Sequence, residues 1–334
     1  MPRKFESSIA DHEITPPEIF FNRRRFLAGL GAAAALPVLA LGETAEDAKL
    51  KPPLSRPDLF PAERNAGYEL PAGIARTMTP REVAASHNNF YEFLPGRGGP
   101  AWQYASDFVA EPWKVEISGE CAKPQTLDLD DLFAFPHEER VYHFRCVERW
   151  AMNVPWSGFP LSKLLARVEP ESTVRYVRFV SANRPSQMPG IVEAAHYPWP
   201  YFEGLRMDEA MNELAMVVTG VYGEPLLKQH GAPVRIIVPW KYGYKNPKSI
   251  VKIELVAEEP KTFWQIQPHE YGFLSNVNPY IPHPRWSQMQ SYWLQNQEVF
   301  DTPIFNGYER YVSALYPDEP RKLQRPLRQG QRAR

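Results

Sequence analysis

Residues 143–150 read His143-Phe144-Arg145-Cys146-Val147-Glu148-Arg149-Trp150, and residues 154–161 follow as Val154-Pro155-Trp156-Ser157-Gly158-Phe159-Pro160-Leu161. Tyr142, Phe144 and Cys146 alternate with polar neighbours, so they fall on one face of a strand. The spacing brings that strand's end to a cysteine between two arginines. Arg145 and Arg149 would favour the thiolate, the form of sulfur that binds a metal or attacks an electrophile. A bridge between Cys146 and the chain's other cysteine, Cys121, is the plain alternative.

Working outward, alternation predicts strands at 113–119 and 175–180, the latter with Val177 and Phe179 inward, and short apolar runs predict more at 216–221, 234–238 and 250–256. Helical spacing covers 161–168, and 127–135 reads as a capped helix stopped by Pro136. With 35 Pro in 334 residues, long helices are broken and short strands joined by rigid turns are favoured. No internal repeat is visible. The expectation is a strand-rich, mixed α+β fold with large loops between strands. A net charge of −1 gives no bias toward nucleic acid. Two cysteines exclude a Cys-rich zinc or iron–sulfur protein, and no HExxH, GxSxG, P-loop or GxGxxG motif occurs.

The start of the chain is patterned differently. Arg23-Arg24-Arg25-Phe26-Leu27 precedes an uncharged stretch from Phe26 to Gly42 that is interrupted by Pro37. Basic cluster, short apolar run and small residues have the layout of an export signal. An uncleaved anchor is the alternative, although the run is shorter than the roughly 20 residues that span a bilayer. The Arg-Arg-x-Phe-Leu core resembles the twin-arginine signal, which exports folded proteins. The expected organisation is a cleaved signal at 1–42, an extended arm at 43–80, one catalytic domain at 81–320 and a basic tail at 321–334. Cleavage is expected at Gly42 or near Ala45, and the mature protein is expected in the periplasm.

Two further stretches carry polar chemistry. Arg235, Lys241, Lys245, Lys248 and Lys252 gather around the loop 239–248, where a phosphate would find cations, or where ordinary lysines would decorate a solvated hairpin. His87-Asn88-Asn89-Phe90-Tyr91-Glu92-Phe93 is dense in amide, phenol and carboxylate groups, and serves equally as a helix cap followed by packing aromatics.

In this order, the three stretches resemble the sulfite-oxidase-fold molybdoenzymes. Within that fold the chain is similar to the family of periplasmic methionine-sulfoxide reductase catalytic subunits. The resemblance also runs through Gln187-Met188-Pro189-Gly190, Gly231-Ala232-Pro233-Val234-Arg235, His283-Pro284-Arg285-Trp286-Ser287-Gln288 and Phe305-Asn306-Gly307-Tyr308. It implies molybdenum held by a pyranopterin dithiolene (molybdopterin) and by the thiolate of Cys146, the catalytic residue. It implies that Asn88, Tyr91, Glu92, Ser181, His230 and Arg235 hold the pterin, while Asn246, Pro247 and Lys248 grip its terminal phosphate. Ser181 and His230 stand where Thr and Asn are common in the family. Ser keeps the hydroxyl, and His230 is expected to donate a hydrogen bond. The implied reaction reduces methionine sulfoxide in periplasmic proteins, with electrons from a haem-bearing integral membrane partner fed by quinol. Sulfite or a small S- or N-oxide is the alternative substrate on the same fold, with Arg145 and Arg149 as candidate oxyanion ligands. A non-enzymatic binding module with a Cys121–Cys146 bridge is the reading from another class.

Overall fold

The structure is a computed structural model that describes residues 49–94 and 100–324. The signal expected at 1–42, its expected cleavage site and residues 325–334 of the expected basic tail lie outside the described residues. Every described residue belongs to one compact unit, Glu46–Arg334.

Helix α1 (Arg81–Ser86) leads into the polar stretch that begins at His87. Strands β1 (Lys114–Gly119) and β2 (Gln125–Asp128) form a hairpin, followed by α2 (Leu129–Phe133). The helix expected over 127–135 therefore starts later. Leu127 is extended and pairs with Val115, and the Asp128 carboxylate accepts the Asp131 N–H at 3.0 Å. That cap fixes where the helix can begin. Next come β3 (Glu138–Arg145), β4 (Trp150–Pro160), α3 (Leu161–Arg167), β5 (Tyr176–Ser181), β6 (Phe202–Arg206) and α4 (Met207–Ala210). Strands β7 (Met216–Val221), β8 (Glu224–Pro225), β9 (Arg235–Ile237), β10 (Ile250–Val256), β11 (Gln290–Trp293) and β12 (Val299–Asp301) complete the described strands.

Two sheets result, so the strand-rich α+β expectation holds. One runs β2-β1-β10-β5-β6, with β1 and β10 parallel and its other pairs antiparallel. Its inward residues Val115, Ile117, Val177, Phe179, Ile253 and Leu255 are wholly buried. The other runs β12-β11-β4-β7-β8, with β3 added on β4 and β9 on β7. Strand β4 is buried from Trp150 to Phe159. Covered on both faces, it reads as continuous burial, without the alternation of a half-exposed strand.

Residues 51–80 have no helix or named strand, and a bridge from Arg64 to Glu139 ties them to β3 of the second sheet. Arg64 pairs with Glu139 of β3 at 2.6 Å, and the Asn65 N–H donates to the Glu139 carbonyl at 2.8 Å. Phe60, Leu70 and Ile74 are buried. Among the described residues no helix is long and apolar enough to cross a membrane.

Candidate active site

The β3–β4 connection places the thiol. The Cys146 N–H donates to the Trp150 carbonyl and the Arg149 N–H donates to the Cys146 carbonyl, both at 3.0 Å, closing a tight turn. Arg149 takes a left-handed φ of 81°, an uncommon setting for a residue with a Cβ. Trp286 Nε1 and Gln288 Nε2 both donate to the Val147 carbonyl, at 2.9 and 2.8 Å, so the turn is also clamped at its tip. Behind the thiol, Gly243 lies against Phe144, where a Cβ would come within 2.9 Å of the ring. No larger residue fits that approach.

Cys146 lines a cavity of about 950 Å³, partly open to solvent. Its wall brings together Asn88, Tyr91, Glu92, Cys146, His230, Arg235, Asn246, Pro247 and Lys248. These lie over 150 positions apart in sequence. Ser181 is the exception: it ends β5, is buried, and is not part of the wall, although its Oγ has no hydrogen-bond partner among the described residues.

The cations in and around the loop at 239–248 divide between scaffold, surface and cavity. Lys241 Nζ lies 2.7 Å from Glu209, and Lys245 Nζ lies 2.6 Å from Glu203, each pair fully buried. Lys252 pairs on the surface with Glu254 at 3.0 Å and Glu116 at 3.4 Å. Arg235 and Lys248 reach the cavity. Burial lowers both pKa values, since removing a cation from water penalises its charged form. Lys248 is partly answered by Glu92, whose carboxyl is raised in turn by burial. Arg235 donates to the His230 carbonyl at 2.7 Å and stacks over Trp156 at 5.0 Å, and it has no carboxylate partner among the described residues.

Asn246 spends its side chain on the loop itself: its Oδ1 accepts from Val238 N, and its Nδ2 donates to Tyr242 and Gly243 carbonyls at 3.2 and 3.3 Å. His230 Nε2 lies 3.1 Å from the Ala84 carbonyl. A carbonyl only accepts, so Nε2 carries the proton and Nδ1 is left as a bare acceptor with no partner. The expected donor is therefore already used. Burial holds this ring neutral, lowering its pKa to about 4.

The thiol departs from expectation as well. Burial pushes Cys146 far up, and this outweighs the arginines. Arg145 turns away to Ser291 Oγ at 2.8 Å and Arg149 to the Gln290 carbonyl at 3.0 Å; neither lines the cavity. Both cysteines are free, so the bridged reading falls. Sequence reasoning missed Asn89 as a site residue. Its Nδ2 lies 3.6 Å from Cys146 Sγ and donates to Glu148 at 2.7 Å. It also missed the aromatic side chains Trp156, Tyr201, Tyr244, Trp264 and Tyr271, which no local pattern separates from core aromatics.

The donor set suits a phosphate-bearing molybdenum cofactor. Asn88 Oδ1, Trp156 Nε1, His230 Nδ1 and Arg235 Nε are buried on this wall without partners. Native proteins rarely leave such atoms unanswered. A cation lacking a carboxylate favours an anion, and a single soft sulfur favours a thiophilic metal.

The comparisons agree. Residues 102–264 match the oxidoreductase molybdopterin-binding domain family. The protein-methionine-sulfoxide reductase catalytic subunit MsrP of Burkholderia mallei (strain ATCC 23344) is 46% identical over 311 residues, 91% of this chain and 92% of that protein. A solved structure, the sulfane dehydrogenase SoxCD from Paracoccus pantotrophus, is similar at 19% identity and TM-score 0.43, over 56% of this chain and 45% of that one. The chain belongs to the family of protein-methionine-sulfoxide reductase catalytic subunits, with an oxidoreductase molybdopterin-binding domain.

Proposed function

We propose that this protein reduces methionine sulfoxide in periplasmic proteins to methionine, as an exported repair enzyme. The observation that carries the reading is the cavity itself, in a chain 46% identical to a protein-methionine-sulfoxide reductase catalytic subunit. It has one thiol, an uncompensated arginine, unanswered polar atoms and a wall rich in aromatic rings. Rings of this kind suit a sulfur-bearing side chain, because sulfur–aromatic contacts are favourable by about 0.3–1.5 kcal/mol.

When bound, molybdenum supplies the two-electron oxygen-atom transfer, a chemistry no side chain here provides. Cys146 holds the metal through sulfur. Arg235 and Lys248 bring positive charge to the terminal phosphate, while Asn246 and Pro247 shape the loop that presents it. Asn88 Oδ1 and His230 Nδ1, both unpartnered acceptors, would help hold the pterin. Tyr91 and Glu92 line the same wall, and Ser181, buried and with its Oγ unpartnered, is the hydroxyl that the family resemblance assigns to the pterin. Each turnover consumes two electrons and two protons and releases the thioether and water. Electrons come from a haem-bearing integral membrane partner that draws on quinol. The chain is exported by the twin-arginine route with residues 1–42 removed. Residues 43–80 form an arm, 81–320 the catalytic domain and 321–334 a basic tail. Sulfite is disfavoured as substrate, since a small oxyanion needs several cations at the metal and Arg145 and Arg149 face elsewhere.

The test is metal analysis of the purified protein, with turnover of an oxidised protein compared with turnover of sulfite. About one molybdenum per chain and selective sulfoxide reduction are expected. Cys146→Ser should fold, lose the metal and lose activity by more than about a hundredfold, beyond the usual cost of altering a ligand's support. Full activity in that variant, or preference for sulfite, overturns the reading.

A further inference from the structure

A second cavity shares Val147 and Tyr244 with the first, so it lies beside the Cys146 turn. Its wall carries two buried side chains whose hydrogen-bonding capacity is half used. His283 has a side chain only 3% exposed. The Arg285 N–H donates to its Nδ1 at 3.2 Å, so the neutral ring carries its proton on Nε2. That Nε2 has no hydrogen-bond partner; its nearest carboxylate oxygen, on Glu270, is 3.5 Å away and out of hydrogen-bond geometry. Burial keeps the ring neutral, lowering its pKa to about 4. Gln288 is 3% exposed. Its Nε2 must face the Val147 carbonyl, an acceptor, at 2.8 Å, which leaves Oε1 as an acceptor with no partner.

The two groups belong to one cluster. His283 stacks on Trp286 at 4.4 Å, and Trp286 and Gln288 both donate to the Val147 carbonyl. One free donor and one free acceptor on a wall match what a peptide group offers, a carbonyl and an N–H. The carboxylates of the wall do not make it a cation site. Glu270 is taken by Arg285 at 2.6 Å, Glu319 accepts from Asn276 and Asn278 at 3.1 and 2.9 Å, and Asp318, exposed to solvent, is left as a single carboxylate.

We propose that this second cavity binds the main chain of the substrate polypeptide beside the oxidised methionine, His283 Nε2 donating to a peptide carbonyl and Gln288 Oε1 accepting a peptide N–H. The assignment rests on the methionine-sulfoxide reading and deepens it. Specificity then has two parts: the aromatic-lined cavity takes the side chain, and the His283–Gln288 wall takes the backbone. A sulfoxide without flanking amides uses the first alone.

The test compares two substrates on the purified holoenzyme. N-acetyl-methionine-sulfoxide N-methylamide has a peptide group on each side; methyl p-tolyl sulfoxide has none. His283→Phe keeps a ring against Trp286 and removes the donor. His283→Asn keeps an acceptor for Arg285 N and also lacks Nε2. Both variants should raise KM for the diamide roughly three- to tenfold, the worth of one hydrogen bond. Both should leave its kcat, the KM for the aryl sulfoxide and the molybdenum content unchanged. An unchanged KM for the diamide, or an equal rise for both substrates, overturns the proposal. A wild-type enzyme that turns over the aryl sulfoxide but not the diamide overturns the methionine-sulfoxide reading instead.

Discussion

Lys241 and Lys245 come from the same short basic stretch as Lys248, with Arg235 just before it, yet the two pairs do opposite work. Lys241 Nζ has three oxygen partners, Glu209, the Leu274 carbonyl and Asn276, at 2.7–2.9 Å. Lys245 is closed off by Glu203 and the Gly204 carbonyl, at 2.6 and 2.7 Å. These charges are complete and pin the loop to α4 and β6. Arg235 is buried and Lys248 half-buried, and both line a cavity. Lys248 reaches the Asn89 carbonyl at 2.9 Å and has Glu92 near it, and Arg235 has only carbonyls and a ring. A buried charge with every partner in place belongs to the scaffold; one left wanting an anion belongs to a ligand.

The largest effect should come from cutting a completed pair. Glu209→Ala strands Lys241 and also removes the partner of the Tyr316 hydroxyl. It should cost about 3–5 kcal/mol of stability, read by denaturant unfolding. A loss below about 1 kcal/mol would erase the distinction between the two kinds of cation. Arg235→Met should behave in the opposite sense. The cofactor-free protein should stay within about 1 kcal/mol of wild type, because an uncompensated buried charge is removed. Cofactor retention, read by metal content after dialysis, should drop by about ten- to a hundredfold. Equal damage to folding from both variants would show Arg235 to be scaffold too.

The smallest effect concerns protons. Burial holds His143 and His230 neutral, each with its pKa lowered to about 4 from 6.5. Between those values the unfolded chain binds protons that the folded chain refuses, so stability is lost as pH falls from about 6.5 toward 4. His230→Asn can still donate to the Ala84 carbonyl but has no proton to gain. It should flatten that slope by about 1–3 kcal/mol across the window, read by unfolding of cofactor-free protein at several pH values. An unaltered slope would remove His230 from the cavity's account.

Much of this was legible locally. Alternation at 113–119 and 175–180 marked the strands found at Lys114–Gly119 and Tyr176–Ser181, because a pleated strand packed on one face has a period of two. The boundary at Asp128 was missed because Leu127 to Phe135 satisfies helical spacing while the cap that starts the helix later acts through a side chain. The thiol at Cys146 was visible as a candidate. Its environment was not: flanking arginines argued for a lowered pKa, but Arg145 and Arg149 turn away and burial raises it. Asn89 sits one residue from a chosen candidate, and only the folded turn brings it to the sulfur.

The sequence by itself determined the strand-rich class, the candidate cysteine that the fold places on the cavity wall, and the motifs that mark the family. Those depend on residue type and local spacing, which survive without tertiary contacts. Only the tertiary structure decided which cations are spent, which nitrogen of His230 is free, and which polar atoms face a cavity unanswered. Each of those facts depends on a partner far away along the chain: Glu209 for Lys241, Ala84 for His230, Val147 for Gln288. A charge or a hydrogen-bonding atom has no fixed role until folding determines what lies within about 3 Å of it.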